Sequence, residues 1–207
     1  MSELGVRRAS GAADVDAIVD VLSEAARWLL ARGIRQWPDP FPRDRVEALA
    51  ERGDFYVGEC EGKLVATIAL LWDDPTFWGE QPPVAGYVHA LAVRRAWAGR
   101  GIGERLLAWA DEQIVRAGRE LLRLDCVADN RDLRRYYERL GFEERGEAVV
   151  GDLVAMRFER RCSRGGRTIT LPARSRDRHV AVSAIRSQRE RGWPETPPNE
   201  GGGALGG

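Results

Sequence analysis

The chain has 207 residues, 43% apolar and 31% charged, enough to build and solvate one core, which excludes a fully disordered, collagen-like or disulfide-framework chain. Basic and acidic residues balance at 32 each, so no global field favours nucleic acid or an anionic membrane. The longest apolar runs, such as 65–72, fall far short of the roughly 18 residues that cross a bilayer. With no charged-then-apolar leader at its start, a soluble cytoplasmic protein with no membrane or nucleic-acid partner is expected. Cys60, Cys126 and Cys162 are widely spaced and lack a neighbouring histidine pair, so free thiols and no metal site are expected.

Charge divides the chain near Arg161. Residues 1–161 hold 24 basic and 28 acidic residues, whereas 162–207 hold 8 and 4. The second segment also carries eight glycines and four prolines and has no sustained apolar period, so one domain (1–161) and a disordered C-terminal tail (162–207) are expected. Within the tail, a strand at 168–171 and a helical turn at 179–189 are weak signals.

In chain order, 6–9 reads as a short strand. Ser10 offers a cap before a helix carrying Val15, Ile18, Leu22, Ala25 and Leu29 at helical spacing, which Gly33 stops. Residues 55–59 and 63–71 form a β-hairpin around 60–62, and 87–93 is a third strand. The helix at 101–117 places Ile102, Leu106, Trp109, Ala110 and Ala117 on one face, with Gln113 the polar intruder. A strand follows at 121–127, then a helix capped by Asn130 and stopped by Gly141 with Phe142 as apolar anchor. Strands at 147–150 and 153–159 close a mixed sheet with helices on both faces, an α/β (α+β) fold.

The stretch from Val88 to Glu104 carries the chemistry. An apolar strand runs into a glycine-rich turn that opens a helix, so backbone N–H groups without intrahelical partners face outward at the positive end of the helix dipole. Gly99, Gly101 and Gly103 allow a pyrophosphate to approach the backbone, and Arg100 adds a cation. The alternative is a turn that needs glycines for its geometry alone. A dinucleotide motif would require glycine at Glu104, and no Gly-Lys-Ser/Thr follows for a P-loop.

The strand ending in Leu91-Ala92-Val93, the turn Gly99-Arg100-Gly101-Ile102-Gly103 and the later run from Asn130 to Phe142 resemble, in order and spacing, the GNAT superfamily of N-acetyltransferases. The resemblance covers about residues 5–160. One position departs: the family's Gln/Arg-x-x-Gly-x-Gly/Ala pattern begins here with Ala98.

The resemblance implies acetyl-CoA as cosubstrate, its pantetheine along Leu91, Ala92 and Val93 like an added strand and its pyrophosphate on Gly99, Arg100, Gly101, Ile102, Gly103 and Glu104. Asn130 would meet it near the thioester, and Tyr137 matches the tyrosine that protonates the departing thiolate in many members; packing with Leu133 and Leu140 is the alternative. His89 lies two residues before Leu91, as in arylalkylamine N-acetyltransferases, where a histidine takes part in water-mediated proton removal. An imidazole titrating in the physiological range suits that task. Under strict alternation His89, Leu91 and Val93 would share one face. A buried histidine satisfied by backbone is the other reading. Cys126 is disfavoured as a covalent nucleophile because nothing nearby in sequence lowers its pKa.

The acceptor side would come from the first helices and the loop after the second hairpin strand. Trp37 and Trp72 are the binding residues expected, within an aromatic mouth whose carboxylates Asp39, Asp73 and Asp74 suit a cationic amine; core packing is the other reading for most of the tryptophans. A small primary amine is favoured over a protein acceptor. Two other functions stay open: a non-catalytic acyl-CoA-binding or sensing protein, which Ala98 keeps in view, and an interaction module working through the basic tail. Exposed strands at the end of the sheet offer a homodimer edge.

Overall fold

The structure is a computed structural model that describes residues 3–163. Its elements are β1 (Gly5–Arg8), α1 (Gly11–Leu30), α2 (Arg43–Glu51), β2 (Phe55–Cys60), β3 (Lys63–Leu71), α3 (Pro75–Trp78), β4 (Ala85–Val93), a 3-10 turn (Arg95–Trp97), α4 (Ile102–Arg116), β5 (Leu121–Val127), α5 (Arg131–Arg139), β6 (Glu143–Val150) and β7 (Leu153–Arg161). Seven strands form one sheet in the order β1-β2-β3-β4-β5-β7-β6, antiparallel except between β4 and β5. That parallel pair follows from connectivity, because α4 supplies the long crossover that parallel neighbours require. The expected mixed, mostly antiparallel sheet with flanking helices is the fold observed. The tail, with its strand and helical turn expected at 168–171 and 179–189, lies outside the described residues.

Helix α1 buries Val15, Ile18, Leu22, Ala25 and Leu29, as their spacing predicts. Its start works differently from expectation. The Ser10 hydroxyl makes no capping bond; instead the Asp14 carboxylate accepts the Ser10 N–H at 2.7 Å. At the other end Gly33 adopts φ +75° and the Ile34 N–H returns to the Leu29 carbonyl, satisfying an acceptor that the helix end leaves open.

Helix α4 covers the opposite face. Trp109 packs on Tyr56 with ring centroids 4.5 Å apart. Gly86 lets the helix approach β4 closely: a Cβ there would lie 2.5 Å from Ile114 Cγ1. The buried stripe is Ile102, Leu106, Leu107, Ala110 and Ile114, while Ala117 is exposed. The buried polar residue on this stripe is Asp111, paired with Arg160 at 2.8 Å, rather than the expected Gln113.

Sequence periodicity assigns no range to α2 or α3. In α2 only Val46 and Leu49 are buried, too sparse a pattern to stand out, and α3 has four residues. Strand β6 begins four residues before the expected 147. It is β7 that pairs with β5, which leaves β6 at the sheet edge.

Candidate active site

Strands β4 and β5 pair only from Ala85–Leu121 to Val88–Leu124. Both continue beyond this, β5 still paired to β7 as far as Val127, so a wedge opens between His89–Val93 and Asp125–Val127. At the apex Ala90 has φ +47°, and the β3–β4 register slips by one residue between Thr67 and Ala69. This is a β-bulge, held by the Thr67 hydroxyl, which donates to the Ala90 carbonyl at 2.7 Å.

The bulge overturns the shared face expected for His89, Leu91 and Val93. Val93 pairs with Ala66, but His89 pairs with Ala69, so the extra residue reverses the alternation and sets His89 on the face opposite Val93. Pairing carries the two faces across the sheet. Val88, Leu124 and Phe158 share the α4 face, and His89 and Asp125 lie on the other.

On that second face His89 is 5% exposed and sits between two carboxylates. Its Nε2 is 3.2 Å from Asp74 Oδ2 and its Nδ1 is 3.7 Å from Asp125 Oδ1. The potential ligand atoms of these three residues lie within 4.8 Å of one another, a grouping that the expectation of no metal site did not foresee. The carboxylates address opposite ring nitrogens, the geometry of a flanked imidazole, whereas one ion can bind only one nitrogen of a given ring. Asp125 stands out in sequence as a lone acid within the apolar strand Leu121–Val127. Asp74 precedes Pro75 at the start of α3, where its Oδ1 accepts the Phe77 N–H and caps the helix.

At the far end of β4, Gly99 and Gly101 take φ +75° and +72°, conformations that favour glycine. Gly101 is the N-cap of α4 and its carbonyl accepts the Arg105 N–H, the first turn-closing bond, so the N–H groups of Ile102, Gly103 and Glu104 precede the intrahelical ladder. Arg100 is exposed, its guanidinium 4.6 Å from the Trp97 ring centroid. Ala98, in extended conformation, brings no polar side chain. Tyr136 hydrogen-bonds Glu104 and ties α5 to the first turn of α4; burial first, then this carboxylate, pushes its phenol well above the usual range.

Asn130 caps α5, its Oδ1 accepting the Leu133 N–H, and its Nδ2 donates to Gln36 Oε1. Tyr137 is fully buried, its ring 5.4 Å from Phe158 and 5.6 Å from Phe142. Through Phe158 it belongs to the α4 face, across the sheet from His89. Cys126 is buried, and burial pushes its thiol up, away from nucleophilic use. The two expected acceptor residues are separated. Trp72 lines a cavity of about 390 Å³ beneath the β3–β4 connection, whereas Trp37 is buried edge-on to Phe41 and does not line it.

A family model described as the acetyltransferase (GNAT) family matches residues 21–142, and the chain belongs to that family. It is 35% identical over 147 residues to YesJ of Bacillus subtilis, an uncharacterized N-acetyltransferase, spanning 67% of this chain and 81% of that one. A GNAT-family acetyltransferase structure from Listeria monocytogenes superposes with a TM-score of 0.64 at 26% identity, covering 76% of this chain and 94% of the other. The fold is also that of yncA from Salmonella typhimurium, a structure holding its cofactor acetyl-CoA, with a TM-score of 0.58 at 18% identity over 82% of this chain and the whole of that one.

Proposed function

We propose that the chain is an acetyl-CoA-dependent N-acetyltransferase that acetylates a primary amine of a small molecule by direct attack within a ternary complex. The observation that carries this reading is the wedge at the β4–β5 split, with a glycine-capped helix at its open end and a histidine and a tyrosine on opposite faces. These features fit the cosubstrate. The β5-facing edge of Leu91–Val93 lacks a strand partner beyond Val88, so an extended amide-bearing chain can occupy it. The amides of Ile102, Gly103 and Glu104 and the Arg100 guanidinium suit a diphosphate; because Ala98 supplies no side chain, the backbone carries more of that contact. Bound there, acetyl-CoA supplies an activated acyl carbon.

The chain's residues divide the remaining work by face. On the His89 face an ammonium must lose a proton to become a nucleophile, and the attacking nitrogen must shed one as the amide forms. His89 accepts it through water, and the carboxylates of Asp74 and Asp125 stabilise the resulting positive charge. On the opposite face Tyr137 donates its phenolic proton as the carbon–sulfur bond breaks, so that the thiol leaves neutral. Asn130 holds the mouth of the wedge through Gln36.

The test is a thiol-release assay with acetyl-CoA across small amines, amino acids, polyamines and aminoglycosides, with calorimetric titration of coenzyme A. Binding with amine-dependent thiol release supports the reading. Binding without release from any amine would favour an acyl-CoA sensor, and no heat of binding would reject both.

A further inference from the structure

The cavity under the β3–β4 connection is lined by Trp72, Asp73, Asp74, Glu80, Gln81 and Tyr87 together with prolines and a glycine. Three carboxylates line it and no lysine or arginine does. Two arginines that do not line it contact its lining residues. Arg119 donates to the carbonyls of Trp72 and Ala85 and lies over the Trp72 ring, and Arg123 pairs with Glu159 while bonding Gln81 and the Tyr87 hydroxyl.

Asp74 connects this cavity to the wedge. It is 8% exposed, and its Oδ2, buried and receiving no hydrogen bond among the described residues, is the atom 3.2 Å from His89 Nε2. A buried carboxylate oxygen held by this one contact can take a further donor. The outer end of the same cavity offers the exposed acids Asp73 and Glu80 beside a half-exposed indole, a combination that attracts a cation. At ~30 Å³ per water-sized group, the volume accommodates roughly a dozen non-hydrogen atoms.

We infer that this cavity binds the acceptor and selects an amine carrying a second positive charge, a diamine or polyamine. The inference rests on the acetyltransferase reading. The reacting nitrogen lies at the Asp74 end, with His89 in contact with that carboxylate from outside the lining, and the distal ammonium among Asp73, Glu80 and Trp72. Acceptors with a carboxylate or phosphonate tail are repelled by the same three acids.

The experiment compares thiol release from acetyl-CoA for acceptors of similar length, 1,4-diaminobutane, n-butylamine, 4-aminobutanoate and 3-aminopropylphosphonate, and for the longer spermidine. The diamine and spermidine should exceed n-butylamine in kcat/KM by about thirtyfold, and the two anionic amines by more. Asp73→Asn and Glu80→Gln should each raise KM for the diamine about fivefold and narrow its lead over n-butylamine. The doubly reversed variant Asp73→Lys, Glu80→Lys should turn the preference towards the aminophosphonate. Equal or better turnover of neutral or anionic amines, or an unmoved diamine KM in the single variants, overturns the cavity assignment while leaving the acetyltransferase reading intact. No thiol release from any acceptor, together with no heat on titrating coenzyme A, removes that reading and this inference with it.

Discussion

Gln36 and Asn130 meet across 94 positions of sequence: the Asn130 Nδ2 donates to Gln36 Oε1 at 3.3 Å, and both residues are buried. This bond fastens the connection between α1 and α2 to the start of α5, so the acceptor side of the wedge is closed onto the residue expected beside the thioester. Gln36→Ala strands a buried amide at a cost of ~1–3 kcal/mol. Thermal unfolding should show a fall of about 2–4 °C per kcal/mol for a domain of this size. An unchanged melting temperature would mean that the amide finds another acceptor.

The flanked imidazole makes a kinetic prediction. His89→Ala should lower kcat/KM about a hundredfold near neutral pH. The loss should shrink as pH rises towards ~10, where a typical ammonium deprotonates without help. Asp125→Asn should give a smaller loss in the same direction by weakening the hold on the ring. A His89→Ala profile parallel to the wild type from pH 6 to 10 removes His89 from proton transfer.

Tyr137→Phe keeps the ring among Phe142 and Phe158 and deletes only the hydroxyl. Turnover should fall by a factor of about 10²–10⁴ while acetyl-CoA affinity, read by calorimetry, changes little. Wild-type turnover assigns Tyr137 to packing.

Gly86→Ala tests the closeness of α4 to the sheet. A Cβ 2.5 Å from one Ile114 side-chain carbon and 2.8 Å from another must displace the helix or the isoleucine rotamer. Overpacking of this kind costs ~1–3 kcal/mol, visible as a lower denaturant midpoint at unchanged slope. A midpoint equal to wild type would show that Ile114 repacks freely.

Asp14 gives a pH prediction of defined sign. The Arg7 guanidinium, donating to its carboxylate at 2.9 Å, holds the Asp14 carboxyl below its ordinary range, and the Ser10 N–H adds to this. A group whose folded pKa is depressed contributes stability that is present above its unfolded pKa of ~3.9 and is lost as pH falls through the folded value. Asp14→Asn should therefore destabilise the protein at pH 7 by at most ~1 kcal/mol, given the half-exposed Arg7, with the difference fading below pH 4. A difference independent of pH would place the effect in helix capping instead.

Much of the frame was legible because glycines with positive φ fall at the turns that sequence marked, at Gly33, Gly99, Gly101 and Gly141. The α1 stripe was legible because its apolar spacing is long and unbroken. The bulge was not, since Ala90 carries a side chain that disfavours φ +47° and nothing local announces it; only pairing with β3 and the Thr67 hydroxyl sustain that backbone. Asp125 was missed, and Asp74 was expected only among the carboxylates of the acceptor mouth, for a related reason. Their meeting at His89 joins a loop to two strands, and no sequence spacing encodes such a convergence, although an acid inside an apolar strand could have flagged Asp125.

Ala90 divides β4 into two segments of opposite phase within a single strand. Upstream, position 89 can change its chemistry without moving the segment at 91–93 proposed to hold acetyl-CoA; downstream, that segment can be refined without turning the side chain of residue 89 away. On the proposed acetyltransferase reading, proton transfer and donor affinity are thereby left to diversify independently, on either side of one extra residue.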